Sequence, residues 1–258
     1  MATLTDAPPT WEVRQGDCLE LITALPDASV DMVFCDPPYG IGMNDGDLAH
    51  NWERAFSGAG NPSAADARPH ANDNAEWFHD SLPLVIAELS RVLVKGGCCC
   101  CCCGGGGGPL PIFADMTLML DRAPGLKFKQ AVVWDKGGLG MGIHYRRCYE
   151  FVLVAQRKGA ACKWYDTTKS AANVLRRGKI LPSAIEHPCA KPWQLSEHFM
   201  RLHSLPGDLV LDCFSGGGST GEAAVRTGRR FLGMEIDPHW VEYSRRRIGS
   251  AQPPLVFA

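Results

Sequence analysis

From residue 11 onward, hydrophobic positions alternate between runs with strand-like spacing and stretches with helix-like spacing. Residues 30–35 form a continuous apolar run, which is typical of a strand covered on both faces. Residues 112–122 instead place apolar side chains three and four positions apart, as a helix with one buried face does. The predicted strands are 12–15, 30–35, 128–134, 149–156, 208–213 and 231–235, and the predicted helices are 18–25, 77–93, 112–122, 192–202 and 239–248. This order predicts an α/β domain.

Two stretches interrupt the alternation. Residues 41–74 are rich in Gly, Ala, Asn, Asp and Pro, and a loop of this length in a domain is usually functional or disordered. Residues 157–186 carry seven lysines and arginines against two acidic residues. This basic stretch is interpreted either as a solvated surface loop or as a small separate region. The chain is therefore divided into residues 11–156, the region 157–186, and residues 187–250.

Cysteine is unusually distributed. Six of the 12 cysteines form one run at 98–103, and no pair with zinc-ligand spacing occurs outside it. Neighbouring residues in a strand point to opposite faces, so the run cannot bridge to itself with good geometry. Lys95-Gly96-Gly97 is predicted to end the preceding helix, and a strand is due next. We predict a buried strand of reduced thiols and no metal site, with a redox or metal role as the alternative.

The length, net charge and hydropathy of the chain exclude few classes of protein. The 258 residues suffice for one large domain, with or without a small appended lobe. The net charge of -2 does not indicate a nucleic-acid binder, but a basic face can be balanced by acids elsewhere. No apolar stretch has the length of a membrane span, and residues 1–10 lack the features of a signal peptide. A cytoplasmic protein is expected.

A glycine loop follows the strand predicted at 208–213. It contains a formal GxGxxG pattern, and Glu235 ends the next strand at the distance where an acid binds ribose hydroxyls. The pattern suits any cofactor with an adenosine group, either NAD or S-adenosylmethionine. Only one further strand is evident after the loop, so the rest of the sheet must come from upstream sequence. This position indicates a circularly permuted strand order.

The most specific pattern is Asp36-Pro37-Pro38-Tyr39, directly after the strand at 30–35. The prolines fix the backbone and leave carbonyl oxygens free as acceptors beside the Asp36 carboxylate. Two acceptors that hold both N–H bonds of a nucleobase amino group favour a localised lone pair on its nitrogen. The Tyr39 ring can stack on a base that has been flipped out of a duplex.

Together these residues resemble the amino-methylating DNA methyltransferases, specifically the β group, in which the catalytic motif precedes the cofactor loop. The resemblance implies a Rossmann-like methyltransferase fold with a seven-stranded, mostly parallel sheet that has one antiparallel strand. It implies catalysis by Asp36, Pro37, Pro38 and Tyr39 with S-adenosylmethionine as cofactor. The implied cofactor contacts, in which Lys191 pairs with the cofactor carboxylate, are Asp17, Cys18, Lys191, Asp212, Phe214, Gly216, Gly218, Thr220 and Glu235.

The same resemblance implies that residues 157–186 recognise double-stranded DNA, with contacts from Arg176, Arg177 and Lys179. Adenine N6 is the preferred acceptor, cytosine N4 is the alternative, and the oligomeric state, including a homodimer, is left open, as is a partner nuclease in a restriction-modification system. A cytosine-C5 enzyme would need a nucleophile such as Cys189 after Pro188, which is far from the expected position. The other rivals are an RNA or protein-glutamine methyltransferase, a non-catalytic nucleic-acid binder and an NAD-dependent oxidoreductase.

Overall fold

The structure of the protein is a computed structural model, which describes residues 10–40, 73–104, 111–139, 145–178 and 191–254. Most of the long loop predicted at 41–74 lies outside the described residues. So do Lys179, the Pro188-Cys189 pair and parts of the glycine-rich segments after residues 104 and 137.

Within these residues the chain forms strands and helices in alternation, close to the predicted order. The strands are β1 (Trp11–Gln15), β2 (Val30–Cys35), β3 (Leu93–Cys103), β4 (Leu126–Asp135), β5 (Tyr149–Arg157), β6 (Val174–Arg176), β7 (Leu209–Asp212) and β8 (Arg230–Glu235). The helices are α1 (Cys18–Thr23), α2 (Ala75–Asp80), α3 (Leu82–Val92), α4 (Ile112–Arg122), α5 (Trp193–His203), α6 (Ser219–Arg226) and α7 (Pro238–Gly249).

The described strands form one sheet in the order β1-β8-β7-β2-β3-β5-β4-β6. The pairings are parallel except at β5, which runs antiparallel to both β3 and β4. The predicted mostly parallel sheet with one antiparallel strand is therefore confirmed, and its permuted order places the late strands β7 and β8 between β1 and β2. The strand count differs, because the short β6 adds an eighth strand at the β4 edge.

Helices cover both faces of this sheet. On one face, α1, α3 and α4 pack into a hydrophobic cluster that includes Val33 of β2 and Leu211 of β7. On the other face, α5, α6 and α7 pack with Met32 and Phe34 of β2. Because β2 is buried on both sides, its run of apolar residues has no polar alternation.

The cysteine run is a central strand, as predicted. Residues 98–103 are all buried in β3, and alternate side chains enter opposite clusters. Lys95-Gly96-Gly97 was expected to end a helix, and this is wrong: α3 ends at Val92, and the segment lies within β3 where the register with β2 shifts. A Cβ atom on Gly96 would lie 2.2 Å from the Ala161 carbonyl oxygen, so these glycines permit a close approach between chain segments.

The helix predicted at 77–93 is two helices. Ser81 ends α2 and begins α3, and a proline occupies the first turn of α3. Proline is tolerated there because the first helical N–H groups have no intrahelical partner. Among the described helices, none has the length and apolar character that crossing a bilayer requires.

The basic stretch, residues 157–186, makes several contacts with the rest of the domain. Its strand β6 pairs with β4, and the Trp134 Nε1–H donates to the Arg177 carbonyl oxygen at 2.7 Å. Closer to β5, the Tyr165 amide donates to the carbonyl oxygen of Leu202 in α5 at 2.8 Å. The described part of this stretch is thus attached to the sheet and to α5.

Candidate active site

The carboxyl ends of the neighbouring strands β1, β8, β7 and β2 meet at one edge of the sheet, called here the carboxyl edge. Asp36 directly follows β2, Asp212 ends β7 and Glu235 ends β8. The amide of Gly16, after β1, donates to the Glu235 carbonyl oxygen at 2.9 Å. The structure therefore brings the proline motif and the glycine loop, which are far apart in sequence, to the same place.

Both carboxylate oxygens of Asp36 have partners. The Tyr39 hydroxyl donates to Oδ1, and the Lys191 ammonium donates to Oδ2 at 2.5 Å. Lys191 also lies 3.6 Å from Oε2 of Glu150, whose Oε1 accepts from Lys136 at 2.7 Å. These side chains are largely buried, and acidic and basic groups alternate along a line from the end of β2 to the end of β4 and the start of β5.

Tyr39 is placed as a hydrogen-bond donor. Burial, and then the negative charges of Asp36 and Glu150, raise the pKa of the Tyr39 phenol well above its usual value. The hydroxyl therefore keeps its proton at neutral pH. A Cβ atom on Gly104 would lie 3.2 Å from the Tyr39 ring, so the ring rests on a backbone that has no side chain.

The chain turns sharply after Tyr39. Gly40 has φ +66°, and a Cβ atom there would lie 2.7 Å from Phe78 and 2.8 Å from the Asn74 carbonyl oxygen. Only glycine adopts this conformation without strain while α2 packs so closely. Pro37, before the turn, is buried.

The glycine loop is organised by two carboxylates. Oδ1 of Asp212 accepts from the Phe214 amide at 3.0 Å, and Thr220 also hydrogen bonds to Asp212. The two oxygens of Glu235 accept from the amides of Gly216 and Asp237, at 2.8 and 2.9 Å. The loop is therefore held in place by the side chains that were predicted to contact a cofactor.

Helix packing also favours a glycine at position 218. It is in the left-handed region at φ +73° and begins α6, and a Cβ atom there would lie 2.8 Å from Ser244 Cβ in α7. The resemblance implied that Gly218 contacts the cofactor. At Gly218 the close approach that the structure contains is to a helix.

Three acidic side chains lie close to one another at this edge. Burial is the main cause that raises the pKa of Asp212 to about 7, and the charges of Asp36 and Glu235 add to it. Burial also raises the pKa of Glu235. Burial and mutual repulsion disfavour the ionised form of these carboxyl groups, and the positive charge of a bound ligand would offset both effects. The cluster therefore favours a cationic ligand.

Asp17 and Cys18 lie beside this edge but have local roles. Oδ1 of Asp17 accepts from the Leu19 amide at 2.8 Å and so caps α1. Cys18 is buried in the core, and burial raises the pKa of its thiol.

Arg176 and Arg177 lie near the same edge, because β6 runs parallel to β4 and pairs with its last residues. Both side chains are exposed, and Arg176 Nε donates to Asp135 at 2.9 Å. The structure does not describe Lys179, the third basic residue predicted to contact DNA.

Sequence reasoning missed four residues of this site, namely Glu150, Lys136, Gly104 and Trp77. Trp77 makes an edge-to-face contact with Phe214 of the glycine loop, with ring centroids 5.8 Å apart. A signal for Glu150 was present in the pattern, because an antiparallel strand begins at the edge where its parallel neighbours end. A charged residue at the start of β5 should therefore lie near Asp36.

Comparisons with known proteins agree with this geometry. Residues 30–246 match the family model for DNA methylase. The DNA adenine methyltransferase YhdJ of Escherichia coli K12 is 28% identical, and the alignment covers 93% of this chain and 83% of that protein.

Two solved structures share the fold. TTHA0409 of Thermus thermophilus, a candidate DNA modification methylase in complex with S-adenosyl-L-methionine, aligns with TM-score 0.66 and 24% identity over 95% of this chain and 96% of that one. The cytosine-N4-specific PvuII DNA methyltransferase aligns with TM-score 0.66 and 20% identity over 92% of this chain and 86% of that one.

Proposed function

Because the chain belongs to the N6/N4 family of DNA methylases, we propose that it methylates an exocyclic amino group in double-stranded DNA in the cytoplasm. Adenine N6 is the preferred acceptor. The single observation that carries the proposal is that Asp36 and the glycine loop follow the adjacent parallel strands β2 and β7. Ligands of open α/β sheets bind at the carboxyl ends of the strands.

S-adenosylmethionine is the proposed cofactor, and the residues present fit it. It carries a sulfonium cation, which the carboxylates of Asp212 and Glu235 favour electrostatically. Each carboxylate oxygen of Glu235 accepts one backbone amide and retains a second lone pair for a ribose hydroxyl. The free N–H groups at the start of α6 add donors at this edge.

When bound, the cofactor would supply an electrophilic methyl group for direct in-line displacement, in which the bond from carbon to sulfur breaks and the sulfur leaves as a neutral thioether, without a covalent enzyme intermediate. The protein residues position the acceptor. Oδ2 of Asp36 accepts an N–H of the amino group once the Lys191 ammonium has moved away from it, and the nearby Glu150 carboxylate gives that ammonium an alternative partner. The proton released from nitrogen passes to Asp36 or to water. Positioning and electrostatics therefore dominate catalysis.

Other cofactor contacts remain proposals. Asp17 is proposed to approach the adenine end of the cofactor, because it follows β1, and β1 pairs with the strand that ends at Glu235. Lys191 was expected to pair with the cofactor carboxylate, and a contact of that kind requires it to leave Asp36. Residues 157–186 are proposed as the target-recognition region, since Arg176 and Arg177 are exposed near the carboxyl edge.

Cytosine N4 is the second candidate acceptor. It presents the same pair of N–H donors as adenine N6, and the PvuII enzyme with this specificity shares the fold. An NAD-dependent oxidoreductase is not favoured, because it gives no role to the pairing of Asp36 with Tyr39 and Lys191.

The test is the variant Asp36→Ala. We expect it to lose methyl transfer to plasmid DNA while its affinity for S-adenosylmethionine is largely retained, because Asp36 is assigned to the acceptor base. Methylated nucleosides are quantified by mass spectrometry and cofactor binding by calorimetry. The product nucleoside distinguishes adenine N6 from cytosine N4.

The matched control is Asp27→Ala, which removes an exposed acid that pairs with Arg91 away from this edge. It should retain full transfer. Normal turnover in Asp36→Ala would remove the catalytic assignment.

A further inference from the structure

A second group of reactive side chains lies away from the carboxyl edge. The thiols of Cys98 and Cys162 are 3.3 Å apart, and His203 completes the group. One ligand atom from each of the three side chains lies within 4.8 Å of the others. The proposed methyl transfer uses none of these residues.

The three residues come from separate elements, which explains why no sequence spacing predicted a site. Cys98 lies in β3, Cys162 follows β5, and His203 is the last residue of α5. Backbone hydrogen bonds fix the segment around Cys162, because the Lys163 amide donates to the Gly96 carbonyl oxygen at 2.9 Å. The group is therefore assembled by the fold before any ligand binds.

The orientation of His203 is set by a backbone contact. Its Nδ1 lies 2.9 Å from the carbonyl oxygen of Lys163. A carbonyl oxygen only accepts, so Nδ1 carries the hydrogen and Nε2 of the neutral ring keeps its lone pair. Metal-ligating histidines characteristically donate their second ring N–H to a carbonyl or carboxylate in this way.

We propose that Cys98, Cys162 and His203 bind a thiophilic divalent metal ion, with Zn²⁺ the favoured occupant. Two sulfur ligands and one imidazole nitrogen form a donor set typical of zinc. In a tetrahedral site with Zn–S bonds of about 2.3 Å, the sulfurs lie about 3.8 Å apart, so the thiols must separate by only about 0.5 Å.

Charge and proton balance are simple. Both cysteines bind as thiolates and release their protons to the solvent, so that two negative charges neutralise the divalent ion. Cys98 and His203 are buried while Cys162 is partly exposed, which gives the ion an entry path and leaves room for water as the fourth ligand. The thiols of Cys35, Cys99 and Cys101 are also close together, but all three are buried within the core.

The metal site would serve a structural role. The neighbouring Lys163 pairs with Asp31 at 2.8 Å, and Asp31 lies at the start of β2, away from Asp36. An ion bound here would join β3 and α5 to the segment that leads from β5 to Arg176. It would therefore fix the first residues of the proposed target-recognition region without contacting the reacting groups.

The experiment titrates the reduced, desalted full-length protein with Co²⁺ and then with Zn²⁺. We expect one equivalent of Co²⁺ to give a thiolate-to-cobalt charge-transfer band and the visible absorption of a tetrahedral ion, and Zn²⁺ to displace it. Cys162→Ser and His203→Gln should each weaken Co²⁺ binding by more than about 100-fold, since each removes a ligand and loss of an outer hydrogen-bond partner alone costs up to about that much. Cys148→Ser, which changes a partly buried thiol outside the group, should bind as the wild type does.

Two results would overturn the proposal. One is equal Co²⁺ affinity in Cys162→Ser and Cys148→Ser, and the other is a wild-type spectrum without thiolate ligation. If His203→Gln does not fold, X-ray absorption of the wild-type zinc complex replaces it, with two sulfur donors expected and a shell of oxygen alone contradicting the site. Asp36→Ala, which removes the proposed catalytic acid outside this group, should bind Co²⁺ as the wild type does, and this result separates the metal site from the catalytic proposal.

Discussion

At the scale of single residues, the acids at the carboxyl edge differ in how their negative charge is balanced. Asp36 faces the ammonium of Lys191, whereas Asp212 receives hydrogen bonds from the Phe214 amide and Thr220 and forms no ion pair with the described residues. Burial raises the pKa of Asp212 to about 7. The protonation state of Asp212 therefore changes within the neutral pH range.

We predict that this acid makes the stability of the protein fall as pH rises from about 4 to about 7. The folded protein holds the Asp212 proton up to about pH 7, whereas the unfolded chain releases it near 3.8. The proton stabilises the fold below the lower value, and this contribution, on the order of 4 kcal/mol, is lost as pH rises through the upper one. Asp212→Asn should remove that slope, measured by urea unfolding at several pH values.

Asp27→Asn is the control for this measurement, because it changes an exposed acid. Its unfolding curve should follow the wild type at every pH. Parallel pH dependence in the wild type and Asp212→Asn would contradict the assignment.

At the scale of elements, the sequence predicted the strands and helices whose apolar pattern is long and regular. β2 and α4 begin and end at the predicted residues, because continuous burial and helical spacing are local properties. The break at Ser81 and the register shift near Gly96 were not predicted. The break at Ser81 had a local signal, the proline in the first turn of α3, whereas the shift near Gly96 depends on the approach of Ala161, which no local pattern contains.

In the candidate site, too, some residues follow from a local pattern and others depend on contacts between distant segments. The motif residue Asp36 and the strand-ending Glu235 were identified, since each follows from chain order at one sheet edge. Its neighbours Glu150 and Lys136 were not, because their positions depend on the pairing of β4 with β5 across the end of the sheet.

We predict that the cysteines of β3 other than Cys98 act as small apolar side chains. Cys100→Ser places a hydroxyl in a fully buried position and should lower the free energy of unfolding by about 1–3 kcal/mol. Cys148→Ser, at a partly buried site, should stay within about 0.5 kcal/mol of the wild type. Chemical denaturation under reducing conditions measures both, and equal stability of the two variants would show that burial of the run is unimportant.

At the scale of the whole molecule, acidic and basic groups meet at the carboxyl edge of the sheet. The carboxyl edge combines the acids with exposed arginines near the end of β4, so a polyanion can bind beside the site despite the net charge of -2. Arg176 is already paired with Asp135, whereas the side chain of Arg177 forms no ion pair within the described part of the chain. Arg177 is therefore the stronger candidate for a phosphate contact.

Arg177→Gln should weaken DNA binding and reduce the slope of log affinity against log salt by about 0.9, the value for one phosphate contact. Fluorescence anisotropy at several salt concentrations measures this slope. Arg122→Gln, which changes an exposed arginine at the end of α4, should leave it unaltered. An unaltered slope in Arg177→Gln would count against the proposed recognition region.

The run of identical residues in β3 has a consequence for strand alignment. Shifting β3 by one position along β2 or β5 would exchange one thiol for another on each face, so these side chains cannot favour the native alignment. That alignment must come from the ends of the strand, from the bulge at Gly96 and from Gly104 beneath the Tyr39 ring. If the start of the strand kept its alignment, losing a single cysteine codon from the gene would thus put a glycine in the buried place of Cys103 and would still leave a glycine under the ring, because glycine also follows residue 104 in the sequence.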